Sequence, residues 1–289
     1  MAEDLVERVE TMKREIDALQ IAFLSQKKKP WYKEIPVIVS VAALLFSFGT
    51  TFVSYRRTEV QDVQNLRQEL RGLLQRLAAL PKENLEATKQ YAGDPAAINI
   101  ISSYLNQENE ILARQSAEIT RRLPKDTVTS TEYYAIGVAM GNSYDLQNEK
   151  AFLKLSEDTA KDFNTEVAAE RSLGNVDFIM GQAGEGRVEY QKALNIFSKY
   201  PGYDPFTMAG SNILTELAWA TSEAALGARP EASQHIESAQ RLADSLPPSQ
   251  GADMLKAQVG QSRTQFERGA VSATPGISPQ LPTTPPKNH

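Results

Sequence analysis

Apolar positions along the chain recur first in alternating steps of four and three. Leu5, Val9, Met12, Ile16, Leu19 and Phe23 keep that step, with Glu7, Glu10, Lys13, Arg14 and Glu15 between them. Such spacing puts one apolar seam along a helix whose other faces are charged. An unbroken apolar run follows from Ile35 to Tyr55, "IPVIVSVAALLFSFGTTFVSY". The seam then resumes through Val63, Leu66, Leu70, Leu73, Leu77 and Leu80, where Pro81 is expected to stop it. Between residues 82 and 268 nothing alternates apolar with polar as a half-buried strand does, so helix is expected throughout. Asp94-Pro95 reads as an N-cap followed by proline at the first helical position. The helix it opens carries Ile98, Ile101, Leu105, Leu112 and Ile119 on one side and ends near Pro124. "TSTE", Thr129 to Glu132, has capping-box spacing and starts another. The expected class is all-α.

The 21 residues from Ile35 to Tyr55 hold no charge. As a helix they would extend about 31 Å, the thickness of a bilayer's hydrocarbon core. Trp31, Tyr32 and Tyr55 stand at the ends of the run, then Lys27, Lys28, Lys29 and Lys33 before it and Arg56 and Arg57 after it. That arrangement predicts one transmembrane helix at 35–55, with the lipid bilayer as a partner. Seven bases and seven acids precede the run, which does not fit a cleaved signal peptide. The predicted location is a membrane, a bacterial inner membrane by preference. The lysine triplet favours an N-terminus inside and the rest of the chain across the membrane; the opposite orientation is the alternative. The two flanking seams predict short coiled coils. Within the run, Ser40, Ala43, Ser47, Thr50 and Ser54 form a stripe of small residues. A homo-oligomer is therefore expected, held by Leu66, Leu70, Leu73 and Leu77.

Charge and composition narrow the chemistry. A net charge of −5 gives no general affinity for nucleic acid. With no cysteine and only His235 and His289, thiolate sites are excluded and zinc sites and serine triads are poorly served. The stretch "GQAGEGRVEYQKAL" at 181–194 is glycine-rich, but Arg187 and Val188 follow Gly186 where a phosphate loop needs Lys and Ser or Thr. Its glycines suit a helix end better. No catalytic residue, metal ligand or cofactor is expected, and the chain does not read as an enzyme. The segment 273–289 holds five prolines and predicts a disordered tail.

Shifting the chain by 46 residues lays a second copy on the first. Leu173-Gly174 falls on Trp219-Ala220, Gly181 on Gly227, Gly186 on Ala232, Tyr190 on Ile236 and Ala193 on Ala239. A recurring pattern of this kind belongs to helical hairpins, with the small residues where two antiparallel helices touch. It resembles the tetratricopeptide repeat. Leu173 and Gly174 match that motif's Leu-Gly pair, and Gly186, Tyr190 and Ala193 its small, aromatic and alanine positions. Glu170 stands in place of its leading aromatic, and the copies lie 46 rather than the usual 34 apart. A weaker third unit lies upstream, in "YYAIGVAMG" and "NEKAFLKLSEDTAKDF".

The resemblance implies a repeat domain over 129–248 that binds protein partners on its first-helix face. Arg171 and Asn175, one turn apart, match positions where some members grip a carboxylate, and a guanidinium and an amide at that spacing can both donate to one anion. The remaining expected segments are an N-terminal helix with its basic flank (1–34), a membrane-proximal coil (56–80), linking helices (82–128), a terminal helix (249–268) and the tail (269–289). The expected function is a membrane-anchored scaffold that recruits a partner through the repeats. The alternatives are an accessory subunit of a membrane enzyme or transport complex, and a tethered structural spacer.

Overall fold

The computed structural model describes residues 2–25 and 35–268, which hold ten α-helices and no strand. The Pro-rich tail lies outside the described residues. By internal contacts the chain divides into two units, Met1–Gln64 and Asn65–His289.

In the first unit, α1 spans Ala2–Ser25. Among its seam residues Val9, Ile16 and Leu19 are exposed and Met12 is half-buried. The apolar run at 35–55 is not a separate element. It is the opening of α2, one helix from Ile35 to Gln90 whose later turns are charged. Most side chains of residues 35–59 lie outside the described set. Among the described residues no helix is long and apolar enough to cross a membrane. That finding overturns the transmembrane helix expected at 35–55, and with it the single-pass anchor, the inner-membrane location and the question of orientation.

Pro81 does not end α2 either. A mid-helix proline removes a backbone hydrogen bond and costs roughly 3 kcal/mol. Side chains on both sides of it are tied down. Arg76 is bonded to Glu83 across the proline and to Glu108 on α3 (Pro95–Arg122). Asn84 accepts a hydrogen bond from Ser102 at 2.9 Å. The helix therefore runs on, with Leu70, Leu77 and Leu80 buried and Leu66 and Leu73 half-buried. The seam assigned to another copy is largely covered by the chain itself.

The caps at α3 and α4 form as the sequence predicts. Asp94 accepts from the Ala97 amide, with Pro95 at the first position of α3. Thr129 and Glu132 make a complete capping box at α4 (Ser130–Asn142), and Arg67 of α2 reaches the same Glu132 with two hydrogen bonds.

Three helix pairs then follow: α4 with α5 (Leu146–Thr159), α6 (Phe163–Ile179) with α7 (Ala183–Leu194), and α8 (Pro205–Ala225) with α9 (Arg229–Asp244). Each closes with the same turn. The amides of Asp145, Gln182 and Ala228 donate to the carbonyls of Met140, Asp177 and Glu223, and those of Tyr144, Gly181 and Gly227 to the carbonyls of Gly141, Phe178 and Ala224. That is a Schellman motif, with its left-handed residue at 144, 181 and 227. The glycines at 181 and 227 thus end helices. Within the pairs Gly137 faces Leu153 and Gly174 faces Tyr190, so close that a Cβ would stand 3.1 and 2.8 Å from those side chains. Ala220 and Ile236 hold the equivalent buried positions in the third pair.

The pairs are offset by 37 residues and then by 46. The extra nine form a short 3-10 turn, Ile196–Ser198, and a loop to Asp204, which caps α8. Phe197 and Tyr203 from this insertion pack on Phe163 at 4.7 and 4.8 Å between ring centroids. Lys199 and Tyr200 both bond Glu166 at 2.5 Å. Finally α10 (Gln250–Glu267) lays Ala252, Leu255 and Val259 against the third pair and closes the apolar core at that end.

Candidate interaction site

The first helices of the three pairs, α4, α6 and α8, share a polar seam. Arg171 on α6 is buried, and its guanidinium donates to Thr215 Oγ1 at 2.8 Å and to Ser211 O and Oγ at 2.6 and 2.7 Å, all on α8. Arg171 makes no ion pair among the described residues, and burial pulls it down to about 10. It fastens α6 to α8. Asn175, one turn on, is half-buried and accepts from Ser222 Oγ at 3.4 Å, while Ser222 meets Tyr190 Oη at 2.8 Å. On the other side Tyr134 Oη lies 3.4 Å from Ser172 Oγ. The two residues expected to share one anion therefore sit in different surroundings. Arg171 is engaged inside the array, and Asn175 is half-buried at its edge.

Successive pairs are also joined by charge. Lys150 on α5 meets Asp177 on α6 at 2.6 Å, and Arg187 on α7 meets Glu223 on α8 at 2.7 Å. Lys150 and Arg187 hold the same place in their hairpins, as do Asp177 and Glu223. Neither link was read from the sequence. The signal was present as a base on each second helix and an acid on the next first helix, but the insertion changes their separation. Between α5 and α7 runs a groove of about 560 Å³ lined by Lys150, Lys154, Leu173, Asp177, Glu185 and Val188. Lys150 already spans it to Glu185 at 2.7 Å. Among the described residues no group of three or more His, Cys, Asp or Glu is placed to hold a metal ion.

The residue that sequence reasoning missed is Tyr144. It sits in the α4–α5 turn at φ 60°, in the slot that Gly181 and Gly227 fill in the other pairs, and its surface is 76% exposed. A left-handed backbone costs a residue with a Cβ roughly 1–2 kcal/mol. Shifts of 37 and 46 residues place this tyrosine on the two glycines, so the mismatch was legible. His235 is partly buried, with Nδ1 2.6 Å from Glu216 Oε2 and its ring stacked on Trp219.

No protein-family model matches the chain, and neither does any curated protein or solved structure. What stands is an all-helical chain with packed helix pairs, a form compatible with a helical-repeat domain.

Proposed function

We propose that the chain is a protein-recruiting scaffold whose three pairs form a tetratricopeptide-like repeat domain. Its support is the recurrence of one contact set: glycine or alanine at 137, 174 and 220, with a large residue sixteen positions on. Partner binding in this reading uses Asn175 at the edge of the first-helix face and Tyr144 at the hairpin tip, with Arg171 holding α6 and α8 in place behind them. Tyr144 is the observation that carries it. Its backbone is strained and its ring is open to solvent, so among the described residues little burial compensates for a side chain where its neighbours have glycine. Strain of that kind gathers at functional positions.

The test is a crosslinking pull-down with the full chain, the Tyr144→Gly variant and a chain lacking residues 130–248. A stoichiometric partner retained by the full chain and lost from both others supports the reading. A partner that stays bound to Tyr144→Gly removes the tip from it, and one that survives the deletion removes the repeats.

A further inference from the structure

Each hairpin places one residue of its first helix across from one nineteen positions later on its second. In the first pair these are Tyr133 and Phe152, with ring centroids 6.2 Å apart. In the third they are Glu216 and His235, 2.6 Å apart. The middle pair has Glu170 and Glu189 there, two carboxyl groups. Glu170 is 3% exposed and its Oε2 has no hydrogen-bond partner.

The charges around Glu170 are mostly negative, and Lys192 offsets them only in part. On α6, Glu166 is one turn away and already bonded to Lys199 and Tyr200, and Arg171 is held by α8. On α5, Glu157 is bonded to Lys154 and Lys192. On α7, Lys192 is shared between Glu157 at 3.1 Å and Glu189 at 2.8 Å. Three carboxylates surround the site, and every lysine near it is bound to one of them. Burial first, then repulsion from Glu166 and Glu157, pushes the Glu170 carboxyl up to about 8.

We propose that Glu170 and Glu189 form a proton-dependent latch: a proton on Glu170 lets α6 pack on α5 and α7, and its loss loosens the middle hairpin. The direction follows from linkage. An unfolded glutamate releases its proton near pH 4.3, so between there and about 8 the folded hairpin holds a proton that the unfolded one does not. Its stability is complete at the acid end, falls by up to about tenfold in the opening equilibrium per pH unit, and levels off above 8. Glu149, buried under Gly141 and pushed up by burial to about 7, acts in the same direction but levels off earlier.

Amide exchange of the full chain from pH 5 to 9, corrected for intrinsic rates, tests the latch. In the wild type, protection of α6 and α7 falls with rising pH up to about 8. Glu149→Gln keeps the fall between 7 and 8, and Glu170→Gln abolishes it. Glu189→Gln, which removes one of the three surrounding negative charges, moves the level-off to lower pH. The latch is overturned if Glu170→Gln retains the wild-type fall between 7 and 8. Should that variant not fold, an unchanged level-off in Glu189→Gln overturns it instead.

Discussion

The first and middle hairpins use one register to pack opposite contents. Near the turn of the first, Gly141 on α4 leaves room for Glu149 on α5, whose carboxyl is buried beneath it. At the equivalent positions of the middle hairpin the large residue changes helix: Phe178 stands on α6 and Gly186 on α7. In the third, both positions are alanine, Ala224 and Ala232. What the hairpins share is the separation of the facing positions, eight residues apart across each turn. The nature of the filler varies. Where one of the two positions carries a large side chain the other is glycine, and either helix can supply the large one.

The largest effect should come from filling that space twice. A Cβ on Gly186 would lie 2.5 Å from the Phe178 ring and 2.7 Å from the Gly174 carbonyl oxygen, which is backbone and cannot yield. Gly186→Val should cost roughly 3 kcal/mol, the upper end for overpacking. At Gly141 the atoms nearest an added Cβ all belong to the carboxyl end of Glu149, a flexible tip, and alanine is the better helix former by about 1 kcal/mol. Gly141→Ala should change stability by less than about 1 kcal/mol. Urea unfolding of the two variants compares them directly, and equal losses would sink the idea of a shared register with exchanged fillers.

The two charge links sharpen the comparison at a middle magnitude. Glu223 is 1% exposed and held by Arg187 and by Trp219 Nε1 at 3.0 Å; the arginine keeps its carboxyl below the usual range against the pull of burial. Asp177 is as deeply buried, but there burial prevails over Lys150 and its carboxyl is raised. Arg187→Ala strands an ionised acid and should cost about 2 kcal/mol. Lys150→Ala strands one that takes up a proton more readily and should cost about 1 kcal/mol, less toward acid pH. A larger loss for Lys150→Ala in the same unfolding series would reverse this ranking.

These contrasts also mark where sequence reading reached its limit. Signals carried by a few neighbouring residues were legible: the Asp94 and Thr129 caps, the turn glycines and the small–large spacing from Gly174 to Tyr190. Each encodes a backbone geometry or a contact close in sequence. What such signals do not encode is the surroundings of an element. An apolar stripe such as Leu66, Leu70, Leu73 and Leu77 has the same spacing whether it meets another chain, lipid or its own fold, and here the fold covers much of it. Pro81 carries a local penalty that distant partners of Arg76 and Asn84 override. Arg171 and Asn175 are one turn apart as expected, but only α8, forty residues later, determines that the guanidinium is already engaged.

The smallest effect concerns the turn itself, and its sign is the point. Gly181 and Gly227 have φ of 77° and 80°, and an added Cβ would meet nothing within 4 Å at either. Alanine there would strain only the backbone, and each substitution should cost about 1 kcal/mol. Tyr144 already carries that strain at φ 60°. Replacing it with glycine relieves the turn but loosens the unfolded chain by roughly 0.5–1 kcal/mol. The net gain for Tyr144→Gly should be about 0.5 kcal/mol, visible as a small rise in the urea midpoint. Glycine at 181 and 227 is therefore kept by the backbone, whereas tyrosine at 144 is kept against it. A drop in the midpoint would show that the ring makes a contact within the chain, and the case for Tyr144 as a residue held for a partner would fail with it.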